Sequence, residues 1–269
     1  MEFLNLVAVS QTKFPMIFSG VGNGFFKRIW DGFFSTGGSD GFDFWPFIVQ
    51  MGEGFSLTLK LFALTLVIAI PIGLFFAVLS MLPFKPVSYL MKSIIWMVRG
   101  TPLLLQCIIV SFVPWYGFGI PNKDVAAFFN SPMKDLQFLF VLIAFSLNYA
   151  CYFAVIFEGG IKSIPKGQYE AGHVLGLTKR QIFFKIVLPQ VVRRIVAPMS
   201  NEIITLVKDT ALANALSVIE IIAVANHFRN DYVVLSPLIY AGLFYLLFSG
   251  ILTIVFHLIE KKLSYYQVT

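Results

Sequence analysis

The sequence predicts an all-α integral membrane protein with a core of five membrane-crossing helices. Three observations carry that prediction. The 269 residues are 58% hydrophobic and only 13% charged, whereas a soluble domain carries roughly 25% charged residues. That is too little charge to cover a water-facing surface, so most of the surface faces lipid. Long uncharged runs recur, such as Leu61–Leu82 and Leu136–Phe157, each matching the roughly 20 residues a helix needs to cross about 30 Å of hydrocarbon. Basic residues crowd into some of the intervening segments and not others, the asymmetry that orients a multi-span protein.

Residues 1–54 form an N-terminal arm distinct from the rest. Phe25, Phe26, Ile29, Trp30, Phe33 and Phe34 recur at helical spacing beside Lys27 and Arg28, which fits an amphipathic helix lying on the membrane surface; a partly ordered arm fits equally well. Met1-Glu2 lacks a basic start and Leu4–Val9 is too short for a signal-peptide core. The spans follow at Leu61–Leu82, at Gly100–Pro121 (extended backwards by Lys92–Arg99), and at Leu136–Phe157. Ile186–Val207, interrupted by Arg193, Arg194 and Glu202, is the fourth, and Tyr232–Ile259 the fifth. Pro71, Pro102, Pro189, Pro198 and Pro237 lie in or near them and predict kinks. Thr210–Asn226, broken by Glu220, is too short and polar to cross and fits a short re-entrant or surface helix. The membrane domain is expected over 55–262, with a tail at 263–269.

Orientation follows from loop charge. Between Ile161 and Arg194 stand Lys162, Lys166, Lys179, Arg180, Lys185, Arg193 and Arg194 against Glu170 alone. The 83–92 loop holds Lys85 and Lys92, and the C-terminus Lys261 and Lys262 beside Glu260. On the other side Lys123 and Lys134 meet Asp124 and Asp135. These segments place the 161–194 island and the C-terminus in the cytoplasm and the N-terminus outside. The net charge of +6 is thus a matter of membrane orientation, and nucleic acid is not an expected partner.

Little in the sequence points to catalysis. Cys107 and Cys151 sit in apolar spans, and His173, His227 and His257 are scattered, so no metal site is expected. Gly20-Val21-Gly22-Asn23-Gly24 follows no strand, and G-x-x-x-x-G-K-[ST] is absent; if ATP drives this protein, another chain binds it.

The island itself reads as a short helix started near Pro165, with Glu170 in its early turns and Gly176 ending it in a left-handed conformation. Thr178 then caps a second helix, with Gln181 completing a capping box, and that helix enters the membrane at Leu188-Pro189. These residues alone fit two readings: a helix that docks a soluble partner, or a connector between spans.

The spacing Glu170-Ala171-Gly172, three residues, Gly176, nine residues, Ile186-x-Leu188-Pro189 resembles the EAA loop of ABC-importer permeases, with Gly172 in place of the second alanine. Arg99-Gly100-Thr101-Pro102-Leu103-Leu104-Leu105-Gln106, Gly159-Gly160-Ile161 through Gln168, Asn201-Glu202 and Lys208-Asp209-Thr210 are similar to motifs of the polar amino-acid subfamily of these type I importers. Glu158 stands where the family usually has arginine; pairing with the island's lysines or reshaping an inner gate both fit. The resemblance implies a multi-pass permease of the bacterial inner membrane with no catalytic residues or cofactor of its own. It implies an ABC ATPase dimer that binds ATP and Mg, contacting Tyr169, Glu170, Ala171, Gly172, Leu175 and Gly176 in a coupling loop at 161–180. It further implies an extracytoplasmic binding protein, a second permease subunit, identical or homologous, and a polar amino acid as cargo.

Ionisable groups within spans are functional candidates because leaving them unpaired in lipid is costly. Arg99, beside Gly100 and Pro102, marks a broken helix that either lines a polar cavity or makes a structural ion pair. Glu202 and Asp209, about two helical turns apart, face one side. Thr101, Gln106, Asn148 and Tyr149 complete the candidate pathway; the last two also fit helix–helix bonding. Lys208 fits the outer end of the fourth span. A stand-alone secondary amino-acid transporter is the alternative, but the two halves show no internal repeat. A membrane enzyme would need a catalytic cluster that the sequence lacks.

Overall fold

The computed structural model describes residues 44–128, 130–232 and 235–264, and every regular element among them is helical. The expected interfacial helix over 25–34 lies outside the described residues. α1 spans Phe44–Ser80, α2 Lys85–Arg99, α3 Leu103–Phe118, α4 Asn122–Phe128 and α5 Met133–Lys162. α6 (Lys166–Val174) and α7 (Lys179–Ile182) lead through a π turn, Phe183–Val187, into α8 (Leu188–Asp209). A 3₁₀ segment, Thr210–Leu216, then α9 (Ile221–Tyr232) and α10 (Ser236–Ser264) complete the chain.

Three helices, α1, α5 and α10, are each long and apolar enough to cross a membrane, and two bent pairs, each taken as one span, bring the number to five. The bent pairs bear on the sequence reading in two places. The second span is broken where Arg99, Gly100 and Pro102 predict it: α2 stops at Arg99 and α3 leaves at 109° to it, so the stretch from Lys92 is not one continuous helix. Pro102 has no N–H to continue a helix and pushes Thr101 out of the helical region. The 83–92 segment is already helix from Lys85, with proline in the first turn. Thr210–Asn226 is two elements rather than one: the 3₁₀ segment prolongs α8, and α9 bends away by 54° after Ser217 adopts a left-handed backbone (φ 60°).

α1 has 37 residues, about 55 Å of helix, so it outreaches the hydrocarbon. It runs unbroken past residue 54, and Phe47 and Met51 bury against Ile221, Val224 and Phe228 of α9 and Ala241 of α10. Its main partner is α5. Ala69, Gly73 and Ala77 repeat at four-residue intervals on the buried face, a small-residue seam of the kind that lets membrane helices approach. The approach at Gly73 is close: a Cβ there would lie 2.8 Å from both the Ala150 carbonyl oxygen and Phe153 Cβ. α10, by contrast, leaves Leu246, Leu247, Ile251, Ile254 and Leu258 exposed, an apolar face suited to lipid.

Candidate functional site

Beside the bend between α2 and α3, an open cavity of about 480 Å³ is lined by Thr101, Pro102, Leu103, Asn148, Tyr149, Tyr152, Glu202, Thr205, Asp209 and Leu212. Five of the seven residues singled out as a pathway, Thr101, Asn148, Tyr149, Glu202 and Asp209, therefore meet there. Arg99 stands beside them. Its guanidinium lies over the Tyr152 ring, 5.0 Å from the centroid, and within electrostatic reach of Glu202. Asp209 is held by the Tyr149 hydroxyl, which donates to Oδ2 at 2.7 Å. The lining thus carries two carboxylates on α8 and the N-terminal end of α3, with the Arg99 guanidinium beside it. Tyr152 and Thr205 were missed in the sequence, although each lies three residues from a chosen one on the same helix face (Tyr149 and Glu202). Lys208 is exposed and lies outside the cavity lining.

Gln106 does not line the cavity. Its amide Nε2 donates to the Val98 carbonyl at 2.7 Å, to Thr101 Oγ1 at 2.8 Å and to the Thr101 carbonyl at 3.1 Å. Its Oε1 accepts from Asn148 Nδ2 at 2.9 Å. Pro102 cannot donate into the end of α2, so carbonyls are freed at the bend, and Gln106 serves them from one turn into α3. The sequence motif does not say which side chain does this.

At one end of the molecule, the island folds as its turn chemistry predicts. Pro165 caps α6. Gly176, at φ 71°, ends it, with Leu177 N–H returning to the Gly172 carbonyl at 3.1 Å. Thr178 and Gln181 form the capping box that starts α7. The π turn that follows lies just ahead of Pro189, which has no N–H for the Lys185 carbonyl four residues back. α6 splits its predicted contact residues between two faces. Glu170, Ala171, Leu175 and Gly176 are exposed, as is Val174, which sequence reading passed over; Val174 is 88% and Leu175 74% exposed. Tyr169 and Gly172 turn inward instead. Tyr169 packs on the small core of Ile164, Ile182, Val187 and Val191. Gly172 is buried so tightly that a Cβ would lie 2.7 Å from Ile182 Cγ1. The departure from alanine at 172 is thus matched to a large neighbour.

α6 is tied to α8 by Gln190 Nε2, which donates to Gln168 Oε1 at 3.1 Å, and the C-terminal end of α5 is tied to α8 by Arg194 Nη1, which donates to the Ser163 carbonyl at 2.5 Å. Glu158 takes the first of its two readings: it pairs with Lys162 of the island and accepts from Ser80 Oγ at 2.6 Å, joining the ends of α5 and α1. A further carboxylate, Glu220, is fully buried. It accepts from the N–H groups of Ile222 and Ala223 at 2.8 and 2.9 Å and from the Tyr245 hydroxyl at 3.1 Å, so it caps α9 and fastens it to α10.

Residues 69–265 match the family described as binding-protein-dependent transport system inner membrane component. The chain belongs to this family. It is a multi-pass permease component of the bacterial inner membrane, and the stand-alone transporter gives way to that reading. Among similar proteins, the L-cystine transport system permease protein TcyB of Bacillus subtilis is 32% identical over 83% of this chain and 89% of its own length. The arginine transport system permease protein ArtQ of Bacillus subtilis is 32% identical over 81% and 93%. A crystal structure of an amino acid ABC transporter with histidines superposes with a TM-score of 0.69 at 26% identity, covering 82% of this chain and 99% of that one. An inward-facing structure of the MetNI methionine ABC transporter shares the fold, with a TM-score of 0.57 at 18% identity over 81% of this chain and 96% of that one. The type I importer permease fold expected from the motifs is therefore present.

Proposed function

We propose that this permease moves a polar amino acid, with a lean toward cationic or zwitterionic cargo, through a pathway half of which is the Arg99–Asn148–Glu202–Asp209 cavity. The observation that carries the reading is the opposition of charges there. Arg99 and the N-terminal end of α3 suit an α-carboxylate, while Glu202 and Asp209 suit an α-ammonium and a basic side chain. A second permease subunit, identical or homologous, supplies the other half of the pathway. A binding protein delivers the cargo from outside. An ATPase dimer, holding ATP and Mg, docks in the cytoplasm on the outward face of α6: Glu170, Ala171, Val174 and Leu175. Tyr169 and Gly172 support that face from beneath. The basic island around α6 and the names of the similar permeases support this assignment.

The test is uptake into proteoliposomes holding the permease, its ATPase and its binding protein, offered radiolabelled L-arginine, L-cystine, L-glutamine and L-glutamate. ATP-dependent uptake is expected, with arginine or cystine ahead of glutamate. Uptake without ATP, or a preference for glutamate, contradicts the reading.

A further inference from the structure

The Gln106 side chain joins the α2–α3 bend to the rest of the protein: it bonds to three polar atoms of the bend and, through Asn148, to α5. Thr101 Oγ1 turns back to the Met97 and Val98 carbonyls at 3.1 and 3.2 Å, so it stays within the bend. Gln106 gathers the Val98 and Thr101 carbonyls and Thr101 Oγ1, and its own carbonyl oxygen takes the Asn148 amide. Asn148 is 4% exposed, in the buried middle of α5. The next residue, Tyr149, holds Asp209. Adjacent positions on α5 thus hold two elements beside the cavity: Asn148, through Gln106, the bend that carries Arg99, and Tyr149 the carboxylate end of α8.

We propose that the Gln106–Asn148 amide pair is a positioning latch that fixes the angle between α2 and α3 and so holds Arg99 and the α3 N-terminal end against the cavity. Three points support a latch over ordinary packing. A bent, interrupted helix at membrane depth is tolerated only where its freed carbonyls are satisfied. Both α2 and α3 pack on α5, so an angle fixed relative to α5 is fixed relative to the carboxylates. The amide has one orientation that serves the bend and Asn148 together, since Nε2 faces three acceptors and Oε1 one donor. Neither residue touches cargo through this pair; both act through Arg99. That Arg99 receives a carboxylate rests on the proposed function, whereas the latch itself does not.

The angle can be read without any cargo. In the full permease–ATPase complex in lipid nanodiscs, with Cys107→Ala and Cys151→Ala, spin labels at Tyr89→Cys on α2 and Tyr116→Cys on α3 report the separation of the two arms. Both positions are exposed. A second pair at Val67→Cys and Leu246→Cys, on α1 and α10, reports the bundle. The latched protein is expected to give one narrow arm distance. Gln106→Leu should replace it by a broad or two-component distribution, the unlatched population rising about 3- to 20-fold, as for loss of one hydrogen bond in a membrane. Asn148→Leu, which leaves Gln106 able to serve the bend, should do the same, and the double variant should be no worse than either single one. The α1–α10 distance should stay as it was. An unchanged arm distance in both single variants, additive effects in the double, or broadening of the α1–α10 distance as well would overturn the latch. None of these results depends on whether uptake is ATP-driven, so the latch and the proposed function fail separately.

Discussion

Around the cavity, polar side chains bond to one another: Tyr149 to Asp209, Asn148 to Gln106, Gln106 to the Val98 carbonyl. On α6, the outward residues Glu170, Ala171, Val174 and Leu175 are left open, and the hydrogen bonds go to the flanks, through Thr178–Gln181 and Gln168–Gln190. The difference follows from the surroundings. At membrane depth an unsatisfied polar group costs several kcal/mol, so the polar groups of the cavity must be served within the chain. At the water-facing end they can be served by solvent, which leaves a helix face free for another protein. On the proposed function, the first site is fixed before its ligand arrives and the second is completed by its partner.

That contrast can be broken or sharpened by substitution. The largest effect belongs to the cavity carboxylates. Glu202→Gln keeps shape and removes one charge, and uptake of a cationic amino acid should fall by about 10- to 100-fold, as for a hydrogen bond to a charged group, with a smaller loss for glutamine. Equal losses for both would remove the carboxylate from cargo recognition. Next comes the seam beneath the cavity. Gly73→Ala drives a methyl against the Ala150 carbonyl and Phe153 and should cost about 1–3 kcal/mol as overpacking, read as a lower unfolding midpoint in detergent. A neutral result would mean that α1 and α5 are not closely held. The smallest effect lies on the flank of α6, where Thr178→Ala removes an exposed cap and should cost about 1 kcal/mol. Because the cap starts α7 and lies outside the exposed face of α6, ATP-driven uptake should fall only slightly.

Legibility in the sequence divided along the same line. The spans were visible because lipid demands long apolar runs, and α1, α5 and α10 stand where those runs lie. The turn chemistry of the island was visible because Gly176, Thr178 and Gln181 act within a few residues of one another. The bend at Gly100–Pro102 was foreseeable from proline, but its 109° angle was not, since that depends on what α3 packs against. Gln106 looked like a pathway residue because a polar side chain in a span is equally able to face a cavity or a carbonyl. Tyr152 and Thr205 were hidden for the reverse reason: aromatic and hydroxyl groups in a span read as packing until their helix face is known. Gly172 read only as a departure from the alanine of the motif, and the position of Ile182 shows why alanine does not fit there. Glu220 read as an interruption, whereas a buried carboxylate at a helix start is a cap.

The central claim is that the open face of α6 transmits the ATPase stroke to a cavity already in place. Leu175→Asp tests it most directly, by putting a charge on the exposed apolar residue at the end of that face while leaving the cavity untouched. Co-reconstituted with its ATPase and binding protein, the variant should lose about 30-fold or more of ATP-driven uptake, the factor for an interface hot spot of ~2 kcal/mol, together with ATPase association. Uptake at the rate of the unaltered protein, with the ATPase still bound, would contradict it.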